Sequence, residues 1–136
     1  SVRAVSTMSE EKFDAIVVGA GVAGCVAAYV LAKEGLDVLV IERGNYAGSK
    51  NMTGGRLYAH SLERVMPGFA EEAPVERLVT REKISFITDD DSVTLDYHTG
   101  EAFSAEAASY TVLRGKFDQW LQEKAESEGA QFIPAG

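Results

Sequence analysis

The feature that most constrains this chain is a glycine-rich turn between a short apolar run and a helical segment. Phe13–Val18 is the apolar run, and it predicts a buried parallel strand. The turn Gly19–Gly24 follows, and Val22–Glu34 is an alanine-rich segment, closed by Gly35, that predicts a helix. Val38–Ile41 then predicts a second buried strand. A helix of about 20 Å can run back along a strand of similar length, so this order predicts a βαβ unit.

Each glycine of the pattern Gly19-x-Gly21-x-x-Gly24 has a separate physical task. Gly19 permits the sharp turn out of the strand, Gly21 lets the backbone approach a pyrophosphate, and Gly24 lets helix and strand pack closely. The first helical turn, with Val22 and Ala23, offers free N–H groups and a partial positive charge to phosphates. The pattern therefore predicts a dinucleotide site, the alternative being that the glycines only shape the turn.

An acidic residue stands where the second strand ends, 18 residues after Gly24. This residue, Glu42, can accept hydrogen bonds from both hydroxyls of an adenosine ribose, and its charge would repel a 2′-phosphate. NADP is therefore disfavoured, whereas FAD and NAD both remain open. The next residue, Arg43, either covers the adenine or the phosphate rim or is a solvated charge at a strand end.

The middle of the chain departs from the βαβ pattern. Residues 45–55 are glycine-rich and irregular, and 56–66 predict a short helix that stops before Pro67. Apolar residues alternate on both sides of the turn 89–92, which predicts a hairpin within an antiparallel segment at about 75–108. Toward the end of the chain, the pattern predicts a strand over 110–113, a helix from Phe117 and a strand over 131–133.

These elements predict an α/β fold: the N-terminal portion of a Rossmann-type domain, with a parallel βαβ sheet and an inserted antiparallel β segment. In the usual strand order 3-2-1-4, the third strand would be 131–133, and strand 1 would be left as a bare edge. We therefore expect an N-terminal fragment that holds only part of its cofactor site. Residues 1–10 are polar and predict a disordered tail or a tag remnant, which leaves 11–136 as the partial domain.

Composition and charge exclude several classes of protein. The net charge is −8 and no cluster of Lys and Arg occurs, which argues against a nucleic-acid partner. The single cysteine, Cys25, predicts a small packed residue and fits a reducing compartment. His60 and His98 have no ligand at metal spacing, so no metal site follows. No catalytic acid–base arrangement is visible, which suits a protein whose cofactor carries the chemistry.

Two stretches narrow the dinucleotide to FAD. The turn together with Val38–Gly44 resembles the FAD motif of the glutathione-reductase-type flavoproteins, which usually place it near the chain start. Arg114–Leu121 resembles the Arg-x-x-Phe-Asp-x-x-Leu helix start of the geranylgeranyl-reductase and hydroxylase branch. That resemblance implies that Arg114 lies near the FAD, where a cation can pair with the pyrophosphate. The alternative is a helix-capping or surface arginine.

A third stretch, Glu42–His60, with Pro67–Phe69 and Ala73–Leu78 after it, resembles the FixC-type members of the electron-transfer-flavoprotein:quinone oxidoreductase family. The resemblance covers nearly all of 10–136. It implies an FAD oxidoreductase that takes electrons from an electron-transfer flavoprotein and passes them to a ferredoxin-like protein or a quinone. It also implies a cytoplasmic location, either free or peripheral to the inner membrane face.

In that family reading, Gly54 and Gly55 would place backbone N–H groups near the flavin or its ribityl chain; otherwise they form a flexible turn before a helix. Two other functions stay open at this point. One is a flavin-dependent reductase or hydroxylase of a small organic substrate, which shares the FAD half. The other is a module that binds NAD or ADP-ribose without redox chemistry.

Overall fold

The structure is a computed structural model that describes residues 11–100 and 104–134. The predicted tail, residues 1–10, lies outside the described residues. Eight strands and three α-helices are defined within them: β1 (Ala15–Val18), α1 (Val22–Lys33), β2 (Val38–Glu42), β3 (Gly54–Tyr58), α2 (Ala59–Val65), β4 (Val75–Leu78), β5 (Arg81–Ile87), β6 (Ser92–His98), β7 (Ser109–Leu113), α3 (Arg114–Ser127) and β8 (Gln131–Pro134). Short 3₁₀ turns lie at Phe69–Glu71 and Ala105–Ala107.

The parallel sheet has the strand order β1-β2-β8. Ala15 pairs with Val38 at the start of β1, and Leu39 pairs with Gln131 at the start of β8. The helix α1 connects β1 to β2, as the glycine turn and the alanine-rich segment predicted. The last strand lies beside the second one, so the predicted βαβ unit and its third strand are confirmed.

The main core lies between one face of this sheet and the helices α1 and α3. Val38 and Val40 of β2 are buried there, because side chains alternate between faces and these two point to the helices. Cys25 from α1 and Phe117 and Leu121 from α3 are at most 1% exposed. Burying a side chain the size of Leu or Phe contributes about 1.5–3 kcal/mol, so these contacts fix α3 against α1.

The opposite face of the parallel sheet is open within the described residues. Ile16 and Val18 are 60% and 83% exposed, and Ile133 of β8 is 49% exposed on the same face. Apolar parallel strands of this kind usually have helices on both faces. Helices cover one face in the described part of the chain.

The helix predicted over 56–66 is present but starts later than expected, because the segment before it is a strand. Residues Gly54–Tyr58 form β3 and pair antiparallel with β7, and the helix α2 begins only at Ala59. β4 pairs with the other side of β7, giving the order β3-β7-β4. The antiparallel strands therefore lie between residues 54 and 113, so the antiparallel segment begins earlier and ends later than the predicted range of about 75–108.

The strands β5 and β6 form the predicted hairpin, with Ile84 opposite Leu95. One face is polar: Arg81 is paired with Asp96. The other face carries Ile84, Phe86, Val93, Leu95 and Tyr97, each at least 51% exposed. Alternation gives the hairpin one polar and one apolar face, and within the described residues the apolar face is uncovered.

Candidate functional site

The glycine turn has the geometry that its spacing predicted. Gly19 has φ of +98°, a left-handed conformation that favours glycine, and its N–H donates to the Ile41 carbonyl at 2.7 Å. A Cβ placed on Gly24 would lie 1.9 Å from the carbonyl oxygen of Gly19 and 3.3 Å from Cγ1 of Val17. The helix thus starts in direct contact with the strand, and only glycine fits at Gly24.

Gly21 has a different environment, because it faces open space. It is the N-terminal cap of α1 with φ of −73°, and a Cβ built on it would meet nothing within 4 Å. The Gly21 carbonyl accepts the N–H of Cys25, the first helical bond, so the N–H groups of Val22 and Ala23 have no partner inside the helix. The start of α1 therefore presents donors and a partial positive charge, as an anion requires.

Glu42 is held at the end of β2 by two backbone donors. Its Oε2 accepts the N–H of Ala20 at 2.7 Å, and its Oε1 accepts the N–H of Gly44 at 2.6 Å. These hydrogen bonds, that from Gly44 first, lower the pKa of Glu42 below its ordinary value. A carboxylate has about four acceptor positions, so the two oxygens remain able to accept the hydroxyls of a ribose.

Arg114 is the first residue of α3, and it is bound to the helix turn that follows. Its Nε and Nη2 donate to the two carboxylate oxygens of Asp118 at 2.8 and 2.9 Å. This hydrogen-bonded contact raises the pKa of Arg114, so the guanidinium stays charged. Asp118 is fully buried and also accepts Nδ2 of Asn51 at 2.6 Å.

These groups meet at one cavity of about 170 Å³. Gly21, Glu42 and Arg114 line it together, although they come from the turn, from β2 and from α3. Its other lining residues are Ala20, Tyr46, Gly48, Ser49, Lys50, Asn51 and Asp118. Pockets for whole small ligands measure about 300–1,000 Å³, so this cavity can take part of a dinucleotide.

Sequence reasoning missed Asn51 and Asp118 among the lining residues. Asp118 had a usable signal: it lies four residues after Arg114, and residues at that spacing share one face of a helix. Asn51 had none, because it lies in an irregular loop and meets Asp118 across 67 residues of sequence.

Other predicted site residues lie outside this cavity. Arg43 is exposed and does not line it. Gly54 and Gly55 are the first residues of β3, opposite Leu113 and Val112, so the alternative of a flexible turn before a helix is wrong. A Cβ on Gly54 would lie 2.6 Å from the Val112 carbonyl oxygen, whereas Gly55 has nothing within 4 Å. Their proximity to a flavin stays a prediction.

Cys25 has the structural role expected of it. It is fully buried, and its Sγ lies 3.4 Å from the carbonyl oxygen of Ala20. Burial, helped by the carboxylates of Asp118 and Glu42, raises the pKa of this thiol to about 12. A thiol held in its neutral form is a poor nucleophile, so the site offers no cysteine chemistry.

Two further features concern residues 11–100 and 104–134. No helix there is long and apolar enough to cross a membrane. No three side chains of His, Cys, Asp or Glu there are grouped so that they could hold a metal ion.

Comparison with known proteins gives relatives over nearly the whole chain. This chain is 68% identical over 127 residues to "Probable electron transfer flavoprotein-quinone oxidoreductase YdiS" of Escherichia coli K12. It is 66% identical over 126 residues to "Protein FixC" of Salmonella typhi. Each match covers 93% of this chain but only about 30% of the relative, so the chain spans less than a third of their length.

A solved structure gives the same fold. A geranylgeranyl bacteriochlorophyll reductase-like protein from Thermoplasma acidophilum matches with a TM-score of 0.71 and 28% identity, over 91% of this chain and 30% of that one. Residues 14–134 also match the family described as FAD dependent oxidoreductase. This match spans all three sheets and every residue of the cavity, from Ala20 to Asp118. The chain belongs to the family of FAD-dependent oxidoreductases.

Proposed function

We propose that this chain holds the adenosine and pyrophosphate part of FAD in an oxidoreductase that passes electrons from an electron-transfer flavoprotein to a quinone or a ferredoxin-like protein. The observation that carries the proposal is the single cavity at which Gly21, Glu42 and Arg114 meet. These three residues offer a donor-rich helix start, a ribose acceptor and a cation, which are the groups that ADP-containing cofactors require.

Each group has a distinct task toward FAD. Glu42 accepts the ribose hydroxyls, and its charge disfavours a 2′-phosphate at this place. The N–H groups at the start of α1 and the guanidinium of Arg114 bind the pyrophosphate. Arg43 stays a candidate for the adenine rim, and Gly54 and Gly55 stay candidates for the ribityl side. When bound, the flavin supplies the redox chemistry; the protein binds and orients it.

The direction of electron flow is proposed from the relatives. The name of the E. coli protein includes an electron transfer flavoprotein and a quinone, and the chain is 68% identical to it over the shared part. A second candidate, a flavin-dependent reductase of a small organic substrate, is favoured by the Thermoplasma reductase-like structure at 28% identity. The two candidates share the FAD site and differ in the donor that reduces the flavin and in the acceptor that takes its electrons.

Binding is tested first, by the absorption spectrum of the whole purified protein. We expect the two visible bands of an oxidised flavin, and loss of these bands in a Glu42→Arg variant that still folds. Glu34→Arg is a matched control with the same charge reversal, because Glu34 is exposed at the other end of α1 and outside the cavity. A colourless protein that responds to NAD would contradict FAD binding, and an unchanged affinity in Glu42→Arg would contradict the role of Glu42.

Electron transfer is tested next, by rapid mixing of the oxidised whole protein with a reduced electron-transfer flavoprotein under anaerobic conditions. We expect the flavin bands to bleach on mixing and to return when a quinone or an oxidised ferredoxin is added. Bleaching by a reduced nicotinamide cofactor, with no response to the reduced flavoprotein, would favour the small-substrate reductase instead.

A further inference from the structure

The cavity contains a buried carboxylate for which FAD binding alone gives no reason. Asp118 is fully buried, and three hydrogen bonds reach it from two side chains, Arg114 and Asn51. An anionic cofactor would be repelled by a second negative charge beside its pyrophosphate. Replacing a buried ion pair by apolar residues is often neutral or stabilising, so stability alone does not explain the carboxylate either.

The geometry of Arg114 suggests what this carboxylate does. Arginine has five N–H donors in a rigid planar fork, and Asp118 takes two of them side by side. The side chain of Arg114 is 37% exposed and lines the cavity, so the remaining donors can reach an anion there. The paired contact fixes both the position and the plane of the guanidinium before any ligand arrives.

Asp118 also holds a second wall of the cavity, the loop of residues 44–51. Asn51 at the end of this loop donates Nδ2 to Asp118. Gly48 has φ of +81°, and a Cβ on it would lie 2.9 Å from Cβ of Asp118 and 3.0 Å from the Gly115 carbonyl oxygen. The loop backbone therefore rests directly on the start of α3, and Asp118 is at the contact.

We infer that Asp118 is a positioning residue for the FAD site: it orients the guanidinium of Arg114 toward the pyrophosphate and holds the 44–51 loop as the cavity wall. The inference rests on the proposed FAD site. It makes a prediction opposite to that of simple charge repulsion. Removing a negative charge beside an anion should tighten binding, whereas removing an orienting group should weaken it.

The test is FAD affinity of the whole protein, freed of flavin and titrated at several salt concentrations, for wild type and Asp118→Asn. We expect Asp118→Asn to weaken FAD about 10-fold or more, since a hydrogen bond between charged groups is lost, and to reduce the salt dependence. Lys124→Ala is the control. Lys124 is on the same helix as Asp118 but outside the cavity, and the substitution removes its ion pair with Glu72. Its affinity should match that of wild type.

Arg114→Ala and the double variant show whether Asp118 acts through Arg114. In the Arg114→Ala background, Asp118→Asn should weaken FAD binding less than it does in wild type, because the group it orients is gone and only its contact with the 44–51 loop is lost. A purely structural role would give the same loss in both backgrounds. If Asp118→Asn does not fold, Arg114→Lys replaces it: a charge without the planar fork should also cost about 10-fold.

The outcomes separate this inference from the FAD proposal. A wild-type protein without FAD affinity would overturn the proposed site itself. A wild-type protein that binds FAD, with unchanged or tighter binding in Asp118→Asn, would overturn the positioning role and leave the site standing. Equal losses in the two backgrounds would overturn it as well, in favour of a structural role.

Discussion

The contact between Gly24 and Gly19 allows a stability prediction with a magnitude. In Gly24→Ala the new Cβ would lie 1.9 Å from the Gly19 carbonyl oxygen, where ordinary contacts begin at 3.4 Å. The start of α1 must therefore move about 1.5 Å away from the turn, because the obstacle is backbone and not a flexible side chain. A shift of this size also moves the free N–H groups at the start of α1.

The energetic result follows from two opposing terms. Overpacking at a rigid contact lowers the free energy of unfolding by about 3 kcal/mol, whereas replacing glycine by alanine inside a helix raises it by about 1 kcal/mol. We expect a net loss of about 2 kcal/mol, which lowers the melting midpoint of the flavin-free protein by roughly 4–8 °C. FAD affinity should fall too, because the helix start is displaced from the pyrophosphate.

Gly21→Ala is the matched control for stability, because Gly21 belongs to the same glycine turn, three residues before Gly24. Its Cβ meets nothing within 4 Å and its φ of −73° suits alanine. The melting midpoint should therefore change by less than about 2 °C, while FAD affinity falls because the methyl group enters the cavity. A Gly24→Ala midpoint within about 1 °C of wild type would refute the reasoning, since the helix would then have adjusted at no cost.

Three further predictions concern other contacts. Gly54→Ala places a Cβ 2.6 Å from the Val112 carbonyl oxygen and should lower the melting midpoint, whereas Gly55→Ala, with open space around it, should not; equal midpoints would contradict the β3–β7 contact. The lowered pKa of Glu42 means that its charged form stabilises the fold above the ordinary value of 4.5, an effect lost as pH falls through the lowered pKa. The midpoint difference between wild type and Glu42→Gln should then be largest above pH 4.5 and shrink below it; a difference that grows with acidity would contradict this sign. Cys25, whose thiol pKa is raised to about 12 by burial, should react with a thiol reagent at pH 8 only after unfolding, as absorbance of the released chromophore would report; fast reaction in the folded protein would contradict its burial.

The βαβ unit could be predicted from sequence because its signals are local. The apolar strand, the glycine turn and the alanine-rich helix are adjacent in the chain, and each has its own composition. Glu42 could be predicted by the same means, since the end of β2 lies beside the turn in any parallel βαβ unit. The hydrogen bond from the Ala20 N–H to the Glu42 carboxylate joins the turn directly to the end of β2.

The strand β3 could not be predicted in this way because its partner is remote. Arg56 pairs with Thr111, 55 residues later, and the sequence Gly54–Tyr58 opens with two glycines, which weaken a strand. The side chain of Arg56 illustrates the same dependence: it donates to Ser109 and pairs with Glu82, both distant in sequence. Tertiary contacts select the strand where local preference favours none.

Glu42 and Arg43 are neighbours at the end of β2, but only one of them lines the cavity, and residue type alone does not predict which. Glu42 is the last residue of β2, whereas Arg43 follows the strand in a bend, so strand alternation alone does not decide which of them reaches the cavity. Glu42 lines it and Arg43 is exposed. The direction of a side chain that directly follows a strand depends on the turn there, which residue type alone does not reveal.

The site depends on the core as much as on its motifs. The glycine turn and Glu42 belong to the βαβ unit, but Arg114 and Asp118 reach the cavity only because α3 packs against α1. That packing rests on Cys25, Phe117 and Leu121, each at most 1% exposed. Phe117 directly precedes Asp118 in the helix, so the core and the cavity use successive residues of one turn. The distance between the guanidinium and the start of α1 is thus set by apolar packing, and the charged groups only complete a geometry that the core has fixed.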